Sequence, residues 1–142
     1  MGKLADYLVL LRFPGLGGLA IPPVIAAVSV GTFDVFTLFL LFLIGSYSAI
    51  FGFVLNDLVD IEVDKKSKEL KNRPLVSGSI SPQAALWICF TCIMLTLVTF
   101  FILFYGEVIT FYRFLAIICI LIAWILGSIY DVYGKKIFAS DI

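Results

Sequence analysis

Residues 35–64 read VFTLFLLFLIGSYSAIFGFVLNDLVDIEVD. An apolar run ends in a crowd of carboxylates, Asn56-Asp57-Leu58-Val59-Asp60-Ile61-Glu62-Val63-Asp64. A helix advances about 100° per residue. Asn56, Asp57, Asp60 and Asp64 then fall within an arc of about 100°, one face of one helix. Glu62 points the other way, toward solvent. Carboxylates this close repel each other, which is costly beside a membrane unless something cationic sits between them. The spacing marks Asn56, Asp57, Asp60 and Asp64 as candidate metal ligands.

The rest of the chain fits a membrane setting. Of 142 residues, 62% are hydrophobic and 14% charged, and the mean hydropathy is +1.13. Soluble domains are nearer half apolar and a quarter charged. There is no histidine, which excludes histidine general bases, Ser-His-Asp triads, HExxH zinc sites and histidine-ligated haem. Formal net charge is zero, and nothing in the charge pattern suggests nucleic acid. Cys89, Cys92 and Cys119 all lie in apolar runs. Without a second ligand pair, Cys89-x-x-Cys92 reads as packing rather than as a metal or redox site.

Outward from the acidic stretch, the order is regular. Residues 2–12 read as a short amphipathic helix at the membrane interface. A first span is expected at about 13–30, interrupted by Pro14, Pro22 and Pro23, which a packed neighbour must accommodate. The second span is expected at 35–55, with Gly45, Ser48, Ala49 and Gly52 forming a small-residue face for close helix packing. Residues 56–81 form the polar loop. Ser81 caps a third span, about 82–104, with Pro82 at its first position. A fourth is expected at about 108–130. The expectation is therefore an all-α transmembrane bundle of about four spans in one domain, residues 1–142.

Charge sets the expected orientation. Lys3, Arg12, Lys65, Lys66, Lys68, Lys71, Arg73, Lys135 and Lys136 fall on one side, leaving only Arg113 of the ten basic residues elsewhere. The positive-inside rule places both termini and the acidic loop in the cytoplasm.

Carboxylates flanked by Lys and Arg suit a magnesium-bridged diphosphate. Mg2+ typically takes one or two carboxylates plus phosphate oxygens and waters. Lys and Arg meet the remaining phosphate charge. An apolar bundle beside that face could hold a hydrocarbon tail. The implied ligand has a diphosphate head and a lipid tail.

At these residues the chain resembles the UbiA family of intramembrane prenyltransferases. Asn56, Asp57, Asp60 and Asp64 match its first Asp-rich motif, Asn-Asp-x-x-Asp-x-x-x-Asp. Asn72-Arg73-Pro74-Leu75 and Ser77-Gly78 follow as in the family. Arg12 resembles its early arginine, and Tyr130 and Lys135 resemble its tyrosine and lysine at the end of the fourth helix. The resemblance implies Mg2+ held by Asn56, Asp57, Asp60 and Asp64. It implies diphosphate contacts from Arg12, Lys71, Arg73 and Lys135, and catalytic roles for Asp57, Asp60 and Tyr130. The implied reaction is ionisation of an isoprenoid diphosphate to an allylic cation, captured by an aromatic or hydroxyl acceptor.

Two departures stand beside it. The family has eight or nine spans and a second Asp-rich motif, which this stretch does not show. Gly15 occupies a position where many members carry Asn. The expectation is therefore the N-terminal half of such an enzyme. A truncated, non-catalytic member that still binds Mg2+ or lipid diphosphate, or one that needs a second chain, is the alternative. Residue by residue, blander readings stay open: a solvated face with an Asp64–Lys68 pair, loop lysines on anionic headgroups, and Tyr130 as an interfacial anchor.

Overall fold

The structure, a computed structural model, describes residues 3–105 and 111–134. In chain order the helices are α1 (Lys3–Leu10), α2 (Leu16–Ala20), α3 (Pro22–Ser29), α4 (Val35–Val59), α5 (Ile61–Asp64), α6 (Pro74–Ser77), α7 (Pro82–Phe104) and α8 (Phe111–Ile129). A 3-10 turn covers Phe13–Gly15 and a π-helical turn Tyr130–Gly134. No strand occurs among the described residues. The chain forms two compact units, Met1–Leu103 and Phe104–Ile142.

The first unit is assembled on α4. Asp34 starts this helix: its Oδ2 accepts from the Thr37 backbone N–H at 2.7 Å, satisfying an otherwise orphaned donor. That bond holds the Asp34 carboxyl below its ordinary range. Helices α2 and α3 pack back along α4. Helix α2 comes close at Gly45, where an added Cβ would lie 2.7 Å from the Ala20 carbonyl oxygen. Ala49, one turn on, is also buried, whereas Gly52 has open space where a Cβ would be. The small-residue face is thus used for packing at its first half.

Prolines set the breaks expected in the first span. Pro14 lies in the 3-10 turn, and Pro22-Pro23 open α3, where a missing N–H costs nothing. The helical length Lys3–Ser29 is apolar enough as a whole to cross a membrane, as are Val35–Val59 and Pro82–Phe104. Helix α1 falls within the first of these lengths, and its Leu10 is fully buried. Large apolar side chains such as Phe36, Phe39, Phe101 and Trp87 are exposed, as lipid-facing residues are. The start of the expected fourth span lies outside the described residues. Its remainder is α8 with the π-helical turn that follows, and Ile117–Tyr133 across the two is an apolar helical stretch shorter than the other three.

At the polar end of the first unit, Leu10, Val54, Leu75, Ile80, Ala85 and Cys89 share one buried cluster. Cys89 and Cys92 are free and buried, so they pack as the sequence suggests. Ser81 Oγ accepts from the Ala84 N–H at 3.2 Å and caps α7.

One expectation needs correction. The acidic stretch is not one helix. Helix α4 ends at Val59, and Asp60 (φ −84°, ψ 0°) separates it from α5. The Asp60 N–H still donates to Asn56 O at 3.0 Å, and its carbonyl accepts from the Asp64 N–H at 2.8 Å. The chain is therefore bent without being reversed, and Asp57 and Asp64 both remain on the inner side, each 6% exposed.

Candidate functional site

Three pieces of chain bring charge to Asp57. The first is α4 itself, which carries Asp57 inward two turns before Asp64. The second is the corner after α1. Arg12 adopts a left-handed backbone (φ 47°, ψ 44°), rare for a residue with a side chain. Its Nη2 donates to Asp57 Oδ1 at 2.9 Å, and its guanidinium lies 4.9 Å from the centre of the Phe53 ring. Phe53 stands one turn before Asp57. The strain at this corner is held by an ion pair and a cation–π contact.

The third piece is the segment before α6. Arg73 precedes a proline and is extended (φ −62°, ψ 140°), as that position requires. Pro74 then opens α6, and Leu75 anchors this short helix in the cluster with Leu10 and Val54. Gly78, at φ 77°, ends it, a conformation that favours glycine. The Ile80 N–H returns to Pro74 O at 3.1 Å. This wrapped turn points Arg73 back at the carboxylates. Arg73 Nη1 donates to Asp64 Oδ2 at 2.8 Å and to Asp57 Oδ1 at 3.2 Å.

Two nearly buried carboxylates are thus neutralised by two guanidiniums. Burying a carboxylate costs several kcal/mol unless it is paired and hydrogen-bonded, so this network holds the site together. Glu62 is on the outer side, as the helical spacing predicts, and pairs with Lys65 Nζ at 2.6 Å. Lys65 holds the Glu62 carboxyl below its ordinary range. Asp64 pairs with Arg73 rather than with Lys68.

The remaining site residues divide as follows. Asn56 and Asp60 are half-buried beside Asp57, with Asp60 at the bend. Lys71 is exposed on the loop. Tyr130 is exposed at the start of the π-helical turn in the second unit. Lys135 lies outside the described residues. Phe53 was not singled out by sequence reasoning, although its spacing from Asp57 put it on the same side of α4.

Among the described residues, no three acidic or cysteine side chains converge as a metal-holding group. What converges is a pair, Asp57 and Asp64, with a single cationic nitrogen between them. A carboxylate pair with a cation already between it fits Mg2+ of the substrate-shared kind, which takes one or two carboxylates and fills its other positions from phosphate and water. It does not fit an all-protein cage.

The chain is similar to known proteins over most of its length. The model of the UbiA prenyltransferase family matches residues 14–142. The chain is 33% identical over 88 residues to a 4-hydroxybenzoate octaprenyltransferase of Francisella tularensis subsp. novicida (strain U112), covering 62% of this chain and 28% of that protein. It is 31% identical over 91 residues to a 4-hydroxybenzoate octaprenyltransferase of Blochmanniella floridana, covering 64% and 29%. A solved structure from work on digeranylgeranylglyceryl phosphate synthase in membranes superposes with a TM-score of 0.78 at 29% identity, covering 96% of this chain and 46% of that one. The match spans less than a third of the curated relatives' length. Nothing in these matches supports a second, complementing chain. Motif, helical architecture and family match agree: this multi-pass integral membrane protein belongs to the UbiA prenyltransferase family.

Proposed function

We propose that the protein is a Mg2+-dependent prenyltransferase. It moves a polyprenyl group from an isoprenoid diphosphate to an aromatic or hydroxyl acceptor at the cytoplasmic membrane face. The observation that supports this best is the buried Asp57–Asp64 pair met by Arg12 and Arg73 at the polar end of an apolar bundle. Such a place offers carboxylates to a hard cation, guanidiniums to a phosphate and apolar helices to a hydrocarbon tail. The named activity of the curated relatives makes 4-hydroxybenzoate the first acceptor to test.

The roles follow from chemistry. Asp57 and Asp64, with Asn56 and Asp60, hold the metal-bearing end of the substrate. Arg12 and Arg73 orient the diphosphate through planar donors, and Lys71 and Lys135 add charge. For Tyr130, the family resemblance implies a catalytic role. When bound, Mg2+ stabilises the charge that grows on the departing diphosphate. Arg12 and Arg73 act on the same charge as donors placed where it develops.

The test is transfer of a labelled prenyl group by the full-length protein in lipid nanodiscs, with and without Mg2+. Metal-dependent product is expected. No product from folded protein across aromatic, glycerol phosphate and quinone-precursor acceptors would refute the reading.

A further inference from the structure

Two of the carboxylates at the site, Asp57 and Asp64, are met by two guanidiniums. Asp57 and Asp64 contribute two negative charges, and Arg12 and Arg73 two positive ones. A metal ion entering alone would meet its carboxylates already engaged. A diphosphate entering alone would meet its guanidiniums already engaged. Arg73 is the residue through which both conflicts run, since one of its nitrogens touches both carboxylates, at 2.8 and 3.2 Å. Arg12 touches Asp57 alone and is the more exposed of the two, 40% against 31%.

We propose that Arg73 is the resting counter-ion of Asp57 and Asp64, and that metal and diphosphate enter by exchanging partners with it. The cation takes the carboxylates as the guanidinium turns to the phosphate. This rests on the proposed diphosphate chemistry and adds a positioning role that the chemistry alone does not require. Binding of either ligand alone leaves the groups it displaces without a partner, whereas binding of both gives every group a new one. Arg73 thereby makes metal affinity depend on diphosphate, and by linkage the reverse. The segment carrying it suits the exchange. Leu75 holds the short α6 in the buried cluster, and the partly exposed Arg73 side chain alone has to change partner.

The experiment is Mn2+ titration of the full-length protein in nanodiscs, read by the electron paramagnetic resonance of free Mn2+, with and without inorganic pyrophosphate. Neither prenyl group nor acceptor is present, so catalysis is not read. For the wild-type protein, pyrophosphate should tighten Mn2+ binding by about tenfold or more. Arg73→Gln should tighten Mn2+ binding without pyrophosphate by about tenfold. Arg73→Lys, which restores the charge, should return affinity toward wild type, and Arg12→Gln should move it less than Arg73→Gln.

Mn2+ affinity without pyrophosphate that is unchanged or weaker in folded Arg73→Gln would overturn the proposal. Should that variant not fold, the wild-type protein still decides: equal Mn2+ affinity with and without pyrophosphate refutes the exchange. In folded Arg73→Gln, a Mn2+ affinity that is unchanged without pyrophosphate but still tightened by it refutes the exchange alone and leaves the diphosphate reading intact. Absence of Mn2+ binding under both conditions would refute that reading and this proposal together.

Discussion

Arg12 gives up an ordinary backbone conformation to reach Asp57. Its φ of 47° breaks the first helical length, and its Nη2 lies 2.9 Å from the Asp57 Oδ1. A strained residue next to a functional carboxylate persists only where its surroundings hold it. Arg12→Gly should relieve the backbone and still lose the ion pair. We expect prenyl diphosphate affinity to fall about tenfold or more in both Arg12→Gly and Arg12→Gln, with the glycine variant the more heat-stable of the two. Binding measured by calorimetry and unfolding by light scattering would show this. Affinity retained in both variants would remove Arg12 from the site.

The contact of Gly45 with the Ala20 backbone gives a stability prediction. A Cβ at 2.7 Å from a carbonyl oxygen forces one helix to move. Gly45→Ala should destabilise the protein by about 1–3 kcal/mol, as overpacking does. Gly52→Ala, on the same helix but facing open space, should be neutral or stabilising by up to about 1 kcal/mol. Thermal unfolding in detergent would compare them, and equal effects would contradict the packing described.

Acid should loosen the start of α4. The Asp34 carboxyl is held below its ordinary value by the Thr37 N–H. A group whose folded pKa is depressed contributes stability above its unfolded pKa and loses it as pH falls through the folded value. Hydrogen exchange at residues 35–38 should therefore be steady at neutral pH and accelerate below the usual carboxylate range, beyond the intrinsic rate. Asp34→Asn should keep the cap and lose the acid response, and Asp34→Ala should exchange fast at every pH.

Much of this was legible in the sequence, for local reasons. Ser81 and Pro82 announce the start of α7 through capping chemistry that needs no partner. Glu62 faces outward and Asp57 and Asp64 inward because helical spacing survives the bend at Asp60. Cys89 packs because nothing ligating stands near it in the apolar run. The bend itself was not legible. Nor was the convergence of Arg73 on both carboxylates, because it depends on Leu75 finding Leu10 and Val54, a tertiary contact without a local signature. The left-handed Arg12 has no local cause either: Asp57 and Phe53, far along the chain, hold it there.

Orientation is the next expectation. By the positive-inside rule, the distribution of basic residues leads us to expect the acidic loop in the cytoplasm. Lys66→Cys should be labelled by a membrane-impermeant thiol reagent only after the cell membrane is opened, and Thr32→Cys in intact cells. The opposite pattern would invert the topology.

The account stands most directly on Mg2+-dependent binding of a prenyl diphosphate by the wild-type protein and by Asp57→Ala and Asp60→Ala. The expected result is saturable, Mg2+-dependent binding by the wild type, weakened by about a hundredfold or more in each variant while both remain folded. Unchanged binding in both folded variants would contradict the central claim that this carboxylate face holds the metal and diphosphate.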